Sequence, residues 1–278
     1  MPVYNGDDYL ARAIESILNQ TLSDFELIIS DNASTDGTRQ ICQRYAKADG
    51  RIRYHRNGQN VGAAKNYNWT VEQARGPFFK WAAHDDLCDS RYLERCIEPL
   101  ENDGSVVLCY PRTRIIDESG ADKGAYPDDL HLMSERNHER FRRMLFREAG
   151  ECNAVFGLIR TDVLARTGII GAYPASDVIL LGELAMNGKF FEVDEVLFER
   201  RDHPQTSIRA NVTDSEKAEW FDPDQRKKSR KIYWRWTREY VKAIGRSRQP
   251  LGEKLLCYIV LGQWVRCHGR RLIRELKQ

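Results

Sequence analysis

The residues best equipped for chemistry are acidic, and they stand at the ends of apolar runs. The stretch FFKWAAHDDLCD (78–89) carries Phe78, Phe79, Trp81, Ala82 and Ala83, then breaks into His84-Asp85-Asp86. Adjacent carboxylates at a strand end repel each other, so a compensating partner is expected. A divalent cation is one candidate, because Mg²⁺ or Mn²⁺ on a diphosphate takes one or two carboxylates plus phosphate oxygens. Solvation is the other: Asp85, Asp86 and Asp89 would favour the dipole of a helix starting at Ser90.

Three further stretches carry similar alternatives. In SDNASTDGT (30–38) Asp31 and Asn32 leave an apolar run, and Ser34, Thr35 and Asp36 suit helix N-caps. A carboxylate at Asp31 could instead accept from the ring N–H of uracil or thymine, or from a ribose hydroxyl. Asp177 heads the apolar segment DVILLGELAMNG, where it is either an N-cap or a general base for an incoming hydroxyl. In ERRDHPQTS (199–207) His203 is a candidate metal ligand, and Arg200 or Arg201 could balance diphosphate charge. A single histidine in a polar loop can equally be no more than exposed.

The elements that must position these groups read as alternating helices and strands. Leu10, Ala13, Ile14, Ile17 and Leu18 share one helical face within 7–20. FELIIS (25–30), RIRYHR (51–56), FFKWAA (78–83) and VVLCYP (106–111) read as strands, separated by helices over 39–48, 60–74 and 90–101. This spacing predicts parallel βαβ units in an α/β sandwich. Residues 119–150 are polar and read as a loop-and-helix insert, and acceptor specificity is expected within residues 112–150. CNAVFGLIR (152–160) returns to the sheet, 176–188 is helical, and 189–202 supplies at least one more strand. Beyond Asn211 the pattern is helical and basic.

The totals bound the rest. The chain has 278 residues, 41% hydrophobic and 30% charged, with a formal net charge of +2. That small sum hides an asymmetry: residues 223–278 hold 16 Lys/Arg against 4 Asp/Glu, and residues 1–222 hold 27 against 37. A basic tail on an acidic body seeks anionic surfaces, either membrane headgroups or nucleic acid. No nucleic-acid recognition motif accompanies the charge, so nucleic acid is not the expected partner. The apolar run in KLLCYIVLGQWV (254–265) is too short to span a bilayer. It reads either as a segment packed on the body or as an amphipathic segment on an anionic leaflet. The seven cysteines show no C-x-x-C pairing, and Met1 runs directly into Pro-Val-Tyr-Asn-Gly. Free thiols and a cytoplasmic setting, peripheral to the inner face of the plasma membrane, are the expectation.

Taken in order, PVYNG (2–6), SDNASTDGT (30–38), NVGAAKN (60–66), HDD (84–86) and SD…LLGELAMNG…VDEVLFERRDHPQTS (176–207) resemble the family-2 glycosyltransferases. These are inverting enzymes with a GT-A fold, a Rossmann-like α/β/α sandwich with a mostly parallel central sheet. The resemblance implies a catalytic domain over residues 1–211 and a basic helical extension over 212–278. It implies that Pro2, Tyr4, Asn5, Asp31 and Asn32 hold the nucleoside of a nucleoside-diphosphate sugar. Lys65 would reach the nucleotide or its phosphates, and Asp85 would share the nucleotide and the metal. Asp85 and Asp86 match the family's metal motif, with His203 as a further ligand, and the cation would be Mn²⁺ or Mg²⁺. Ser176-Asp177 matches the acid–Asp pair eleven residues before Gly188, which makes Asp177 the base acting on a hydroxyl of a glycan or glycolipid. Relatives carry an apolar strand ahead of the PVYNG position, so a first strand cut short at Met1 is expected. Two readings compete with this one: a nucleotidyltransferase making sugar nucleotides, and a non-enzymatic binder of anionic surfaces.

Overall fold

The computed structural model describes residues 1–147, 152–211, 213–223 and 231–276. Most of the basic run RKKSRK (226–231) and the end of the 119–150 insert lie outside the described residues.

The first third is built as expected. Strand β1 (Pro2–Val3) leads to α1 (Leu10–Leu18), β2 (Leu27–Asp31), α2 (Thr38–Ala48), β3 (Ile52–Arg56) and α3 (Ala63–Gln73). The three strands pair in parallel in the order β1-β2-β3, with Val3 opposite Asp31 and Asp31 opposite Arg56. Leu10, Ala13 and Ile14 of α1 are fully buried against Val3, Leu27 and Ile29. The stripe at helical spacing therefore does what a 3.6-residue period dictates, burying one face. β2 is buried along its whole length, so its C-terminal carboxylate emerges inside the protein.

The second sheet is mixed and departs from the expectation of parallel units throughout. Its strands are β4 (Phe78–Phe79), β5 (Leu87–Cys88), β6 (Val106–Asp117), β7 (Asp122–Tyr126), β8 (Leu158–Arg160) and β9 (Lys189–Asp202). Among these, β6 and β9 run parallel, whereas β4–β8, β5–β9, β6–β7 and β6–β8 are antiparallel. The apolar run 78–83 pairs only over Phe78–Phe79. Beyond it Trp81 turns fully inward and its indole N–H donates to the Tyr67 carbonyl at 3.2 Å, so the run serves the core rather than a ladder. The register of β6 against β9 shifts beside Pro111, which has no N–H to donate.

Helices α4 (Tyr92–Asn102), α5 (Asn137–Leu145), α6 (Thr161–Leu164) and α7 (Ser176–Asn187) flank this sheet, with a single 3₁₀ turn at Asn153–Phe156. Short helices α8 (Ser207–Ala210) and α9 (Asp214–Phe221) follow β9. The chain continues through α10 (Ile232–Arg246), α11 (Leu251–Cys267) and α12 (Gly269–Leu276). The tail packs on the body: Tyr240, Ala243, Ile244, Cys257, Leu261 and Trp264 share one core cluster with residues of α5 and α7. Arg246 clamps the buried Glu183 carboxylate of α7 through two hydrogen bonds of 2.9 Å. All seven cysteines are free.

Candidate active site

The C-terminal ends of β1 and β2 form one wall of a candidate cleft. Tyr4 is exposed there, Pro2 is buried in the strand, and Asn5 holds a left-handed backbone (φ 49°). The Asn5 side-chain oxygen accepts from the Thr35 N–H at 2.8 Å, and its own N–H donates to the Ser34 hydroxyl at 3.0 Å. The two loops at the strand ends are thus tied to each other. Asp31 is fully buried. Its Oδ1 accepts from the Ser34 N–H at 2.8 Å, and its Oδ2 accepts from the Tyr54 hydroxyl at 2.8 Å and pairs with Arg56 at 3.2 Å. Any nucleoside contact at Asp31 would have to share these partners. Asn32 is bound in an amide network with Asn57, Asn60 and the Val61 N–H. Asn66 joins the same network through Asn57 and Ser30. Lys65, in the first turn of α3, is exposed beside it.

Sequence reasoning missed Tyr54, Arg56, Asn57, Asn60 and Asn66. A usable signal was the density of asparagines after β3, since isolated carboxamides gain little on a surface but build closed networks when buried.

The acidic pair lies at the far end of the second sheet. Antiparallel pairing of Leu87 with Glu199 sets the segment before β5 against the end of β9. Asp85 Oδ2 lies 2.9 Å from His203 Nε2, and His203 Nδ1 meets the Gln205 side-chain oxygen at 3.0 Å. The bond to Asp85 raises the pKa of His203. Asp86 is buried and accepts from the Arg201 N–H at 2.9 Å. Burial and then the charge of Asp85 push Asp86 up to about 7, against the pull of Arg201, Arg200 and Lys80. Burial acts the same way on Asp85, but His84 and His203 outweigh it and hold Asp85 below the usual carboxylate range. One member of the pair is therefore a settled anion, and the other readily holds a proton.

The first loop also touches this second cluster. A β-carbon on Gly6 would fall 2.4 Å from the His84 ring, and the Tyr9 ring lies 4.7 Å from that of His203. Asp177 lies in the first turn of α7, and burial raises its pKa. The phenol of Tyr67, on α3, is raised by burial and then by Asp85, Asp86 and Asp177 together. Two side-chain atoms beside this region, Asn153 Nδ2 and Ser176 Oγ, are buried without a hydrogen-bond partner. Buried polar groups left unpaired cost about 1–3 kcal/mol each, so their presence beside a candidate site points to a ligand that pairs them.

The donor set fits a hard or borderline cation. Asp85 oxygen and His203 nitrogen are ligands that Mn²⁺ accepts, and Gln205 fixes the ring from behind. Among the described residues no group of three His, Cys, Asp or Glu side chains could hold a metal by itself. Two protein ligands suit an ion that also binds a diphosphate and keeps water.

Comparison with known proteins agrees with this architecture. Escherichia coli chondroitin synthase is 33% identical over 120 residues, covering 43% of this chain and 17% of that protein. The chain likewise spans less than half the length of other curated glycosyltransferases it matches. The solved Staphylococcus aureus TarS 1–349 in complex with UDP-GlcNAc superimposes with a TM-score of 0.67 at 17% identity, covering 96% of this chain and 70% of that one. The mannosyltransferase PcManGT of Pyrobaculum calidifontis, in complex with GDP-Man and Mn²⁺, gives a TM-score of 0.53 at 14% identity, covering 97% and 73%. These structural likenesses establish the GT-A fold. The family model described as glycosyl transferase family 2 matches residues 1–168, more than half of the chain, and the chain belongs to that family.

Proposed function

We propose that the protein transfers a sugar from a nucleoside-diphosphate sugar to a hydroxyl of a glycan or glycolipid acceptor, with inversion at the anomeric carbon. The observation that carries this reading is the 2.9 Å contact of Asp85 with His203, next to a buried Asp86 held on the Arg201 N–H. Asp85 and His203 would hold the cation, with the buried Asp86, anchored on the Arg201 N–H, beside them. Tyr4, Asn5, Asp31, Asn32 and Lys65 line the nucleoside side, with Pro2 fixing the strand end. A Mn²⁺ or Mg²⁺ ion there would neutralise charge developing on the departing diphosphate.

Asp177 accepts the proton of the acceptor hydroxyl. The hydroxyl oxygen bonds to the anomeric carbon as the bond to the diphosphate breaks, in one displacement with no covalent enzyme intermediate. Burial raises the Asp177 carboxyl and so brings a normally weak base closer to working pH. Asn153 Nδ2 and Ser176 Oγ are placed to pair with sugar or acceptor hydroxyls. The names of the similar proteins, a chondroitin synthase among them, support a role in cell-surface polysaccharide or glycolipid synthesis. The test is nucleoside-diphosphate release from a panel of sugar nucleotides, with Mn²⁺ and with excess chelator. Release from one donor, lost on chelation, is the expected result; equal release in chelator overturns the metal role.

A further inference from the structure

Over its middle, Leu255 to Gly262, helix α11 carries no charged side chain on any face, which normally marks a helix enclosed by protein. Here only one face is enclosed. Cys257, Val260, Leu261 and Trp264 pack on the body, while Leu251, Leu255 and Ile259 stand 74%, 57% and 56% exposed on the opposite face. Among the described residues, nine of the twelve large hydrophobic side chains that face solvent belong to α10, α11 and α12. Exposed apolar surface gathered in one region marks a docking face.

The charge around this face selects its occupant. Leu255, Ile259 and Gly262 lead at helical spacing to exposed Arg266, and in α12 exposed Ile273 lies between Arg270 and Arg274 on one helical stripe. None of these three arginines makes an ion pair among the described residues, whereas Glu253 and Glu275 are engaged by His138 and by the Tyr233 N–H. A second copy seated on this face would bring both copies' arginines into one interface, with Glu253 and Glu275 already engaged elsewhere, which repels. An anionic bilayer offers an acyl boundary to the leucine face and negative headgroups to the arginines. No helix of the described residues is long and apolar enough to cross a membrane, so the geometry is one of lying on the surface.

We propose that the outer face of α11, with the arginines of α11 and α12, seats the protein on an anionic lipid surface. This is independent of the donor and metal assignments. The test is co-sedimentation of the full chain with phosphatidylcholine vesicles, with and without phosphatidylglycerol. Binding should require phosphatidylglycerol and fall as salt rises. The triple variant Arg266→Glu/Arg270→Glu/Arg274→Glu should lose at least roughly a hundredfold in partitioning, taking roughly fivefold per basic residue. Leu255→Ser/Ile259→Ser, at exposed positions, should also weaken binding while leaving donor turnover in solution unchanged. Binding that ignores lipid charge, salt and all five substitutions overturns the proposal. So does a chain that leaves vesicles alone but sediments as a dimer that Leu255→Ser/Ile259→Ser dissociates. The salt titration needs no substitution, so the proposal stands or falls even if a variant misfolds.

Discussion

At the residue scale the site is a set of carboxylates whose surroundings give them different tasks. Asp85 is held ionised beside His203, Asp86 carries a pKa near 7, and Asp177 is raised by burial. Replacing either partner of the Asp85–His203 contact, by Asp85→Asn or His203→Ala, should weaken Mn²⁺ binding in the presence of nucleoside diphosphate. Calorimetry should read a loss of at least about tenfold to a hundredfold, the range seen even for outer-shell groups; unchanged affinity in both variants removes them as ligands. Asp128 offers a separate titration. Burial pushes it up to about 6, although its oxygens accept from the Asn153 N–H and the Thr113 hydroxyl. Its folded pKa lies above the ordinary 3.8, so between these values the folded state binds more protons than the unfolded. Its contribution is then complete below pH 4 and is lost as pH rises through about 6. Asp128→Asn, which keeps an acceptor for Asn153, should therefore stabilise the protein at neutral pH by up to about 3 kcal/mol and not at pH 4. Melting curves at both pH values check this, and a pH-independent difference contradicts it.

At the element scale, the sequence announced helices and short strands better than it announced how strands associate. The stripe of α1 and the turn-rich loop after β2 are local signals and both are found in place, but α2 starts from Gly37 without a side-chain cap rather than from Ser34, Thr35 or Asp36. The long central pair β6–β9 was only half legible. Pro111 and the charged residues beyond it break the apolar pattern that marks a buried strand, yet pairing continues to Asp117. The inward turn of Trp81 was invisible, because its reason is a carbonyl on α3, fourteen residues earlier in the chain. The tail's attachment was left open by its sequence and is closed by Glu183 and Arg246, two residues 63 positions apart. Arg246→Met would leave the buried Glu183 carboxylate with the Gly168 N–H as its remaining hydrogen-bond partner. A loss of about 2 kcal/mol is expected, below the usual range for a buried pair because Arg246 is over a third exposed. Chemical denaturation measures it, and an unchanged midpoint would show that apolar packing alone holds α10.

At the scale of the whole molecule, labour divides between the two sheets. In the proposed site the parallel sheet would supply the nucleoside wall, the segments before β5 and after β9 would supply Asp85 and His203, and α7 would supply Asp177. Most of the candidate residues were legible because family motifs preserve order along the chain. Their supporting shell was not: Tyr54, Arg56, Asn153 and Gln205 act through contacts that only the fold creates. Family membership favours the glycosyltransferase reading over the nucleotidyltransferase one. The division of labour makes one sharp demand. If Asp177 acts on the acceptor as proposed, removing its charge should damage chemistry and spare the donor. Steady-state kinetics of Asp177→Asn at saturating acceptor measure both at once. The account predicts a kcat lower by about 100- to 10,000-fold with donor KM little changed. A kcat within about threefold of the parent enzyme, with or without weakened donor binding, would contradict it.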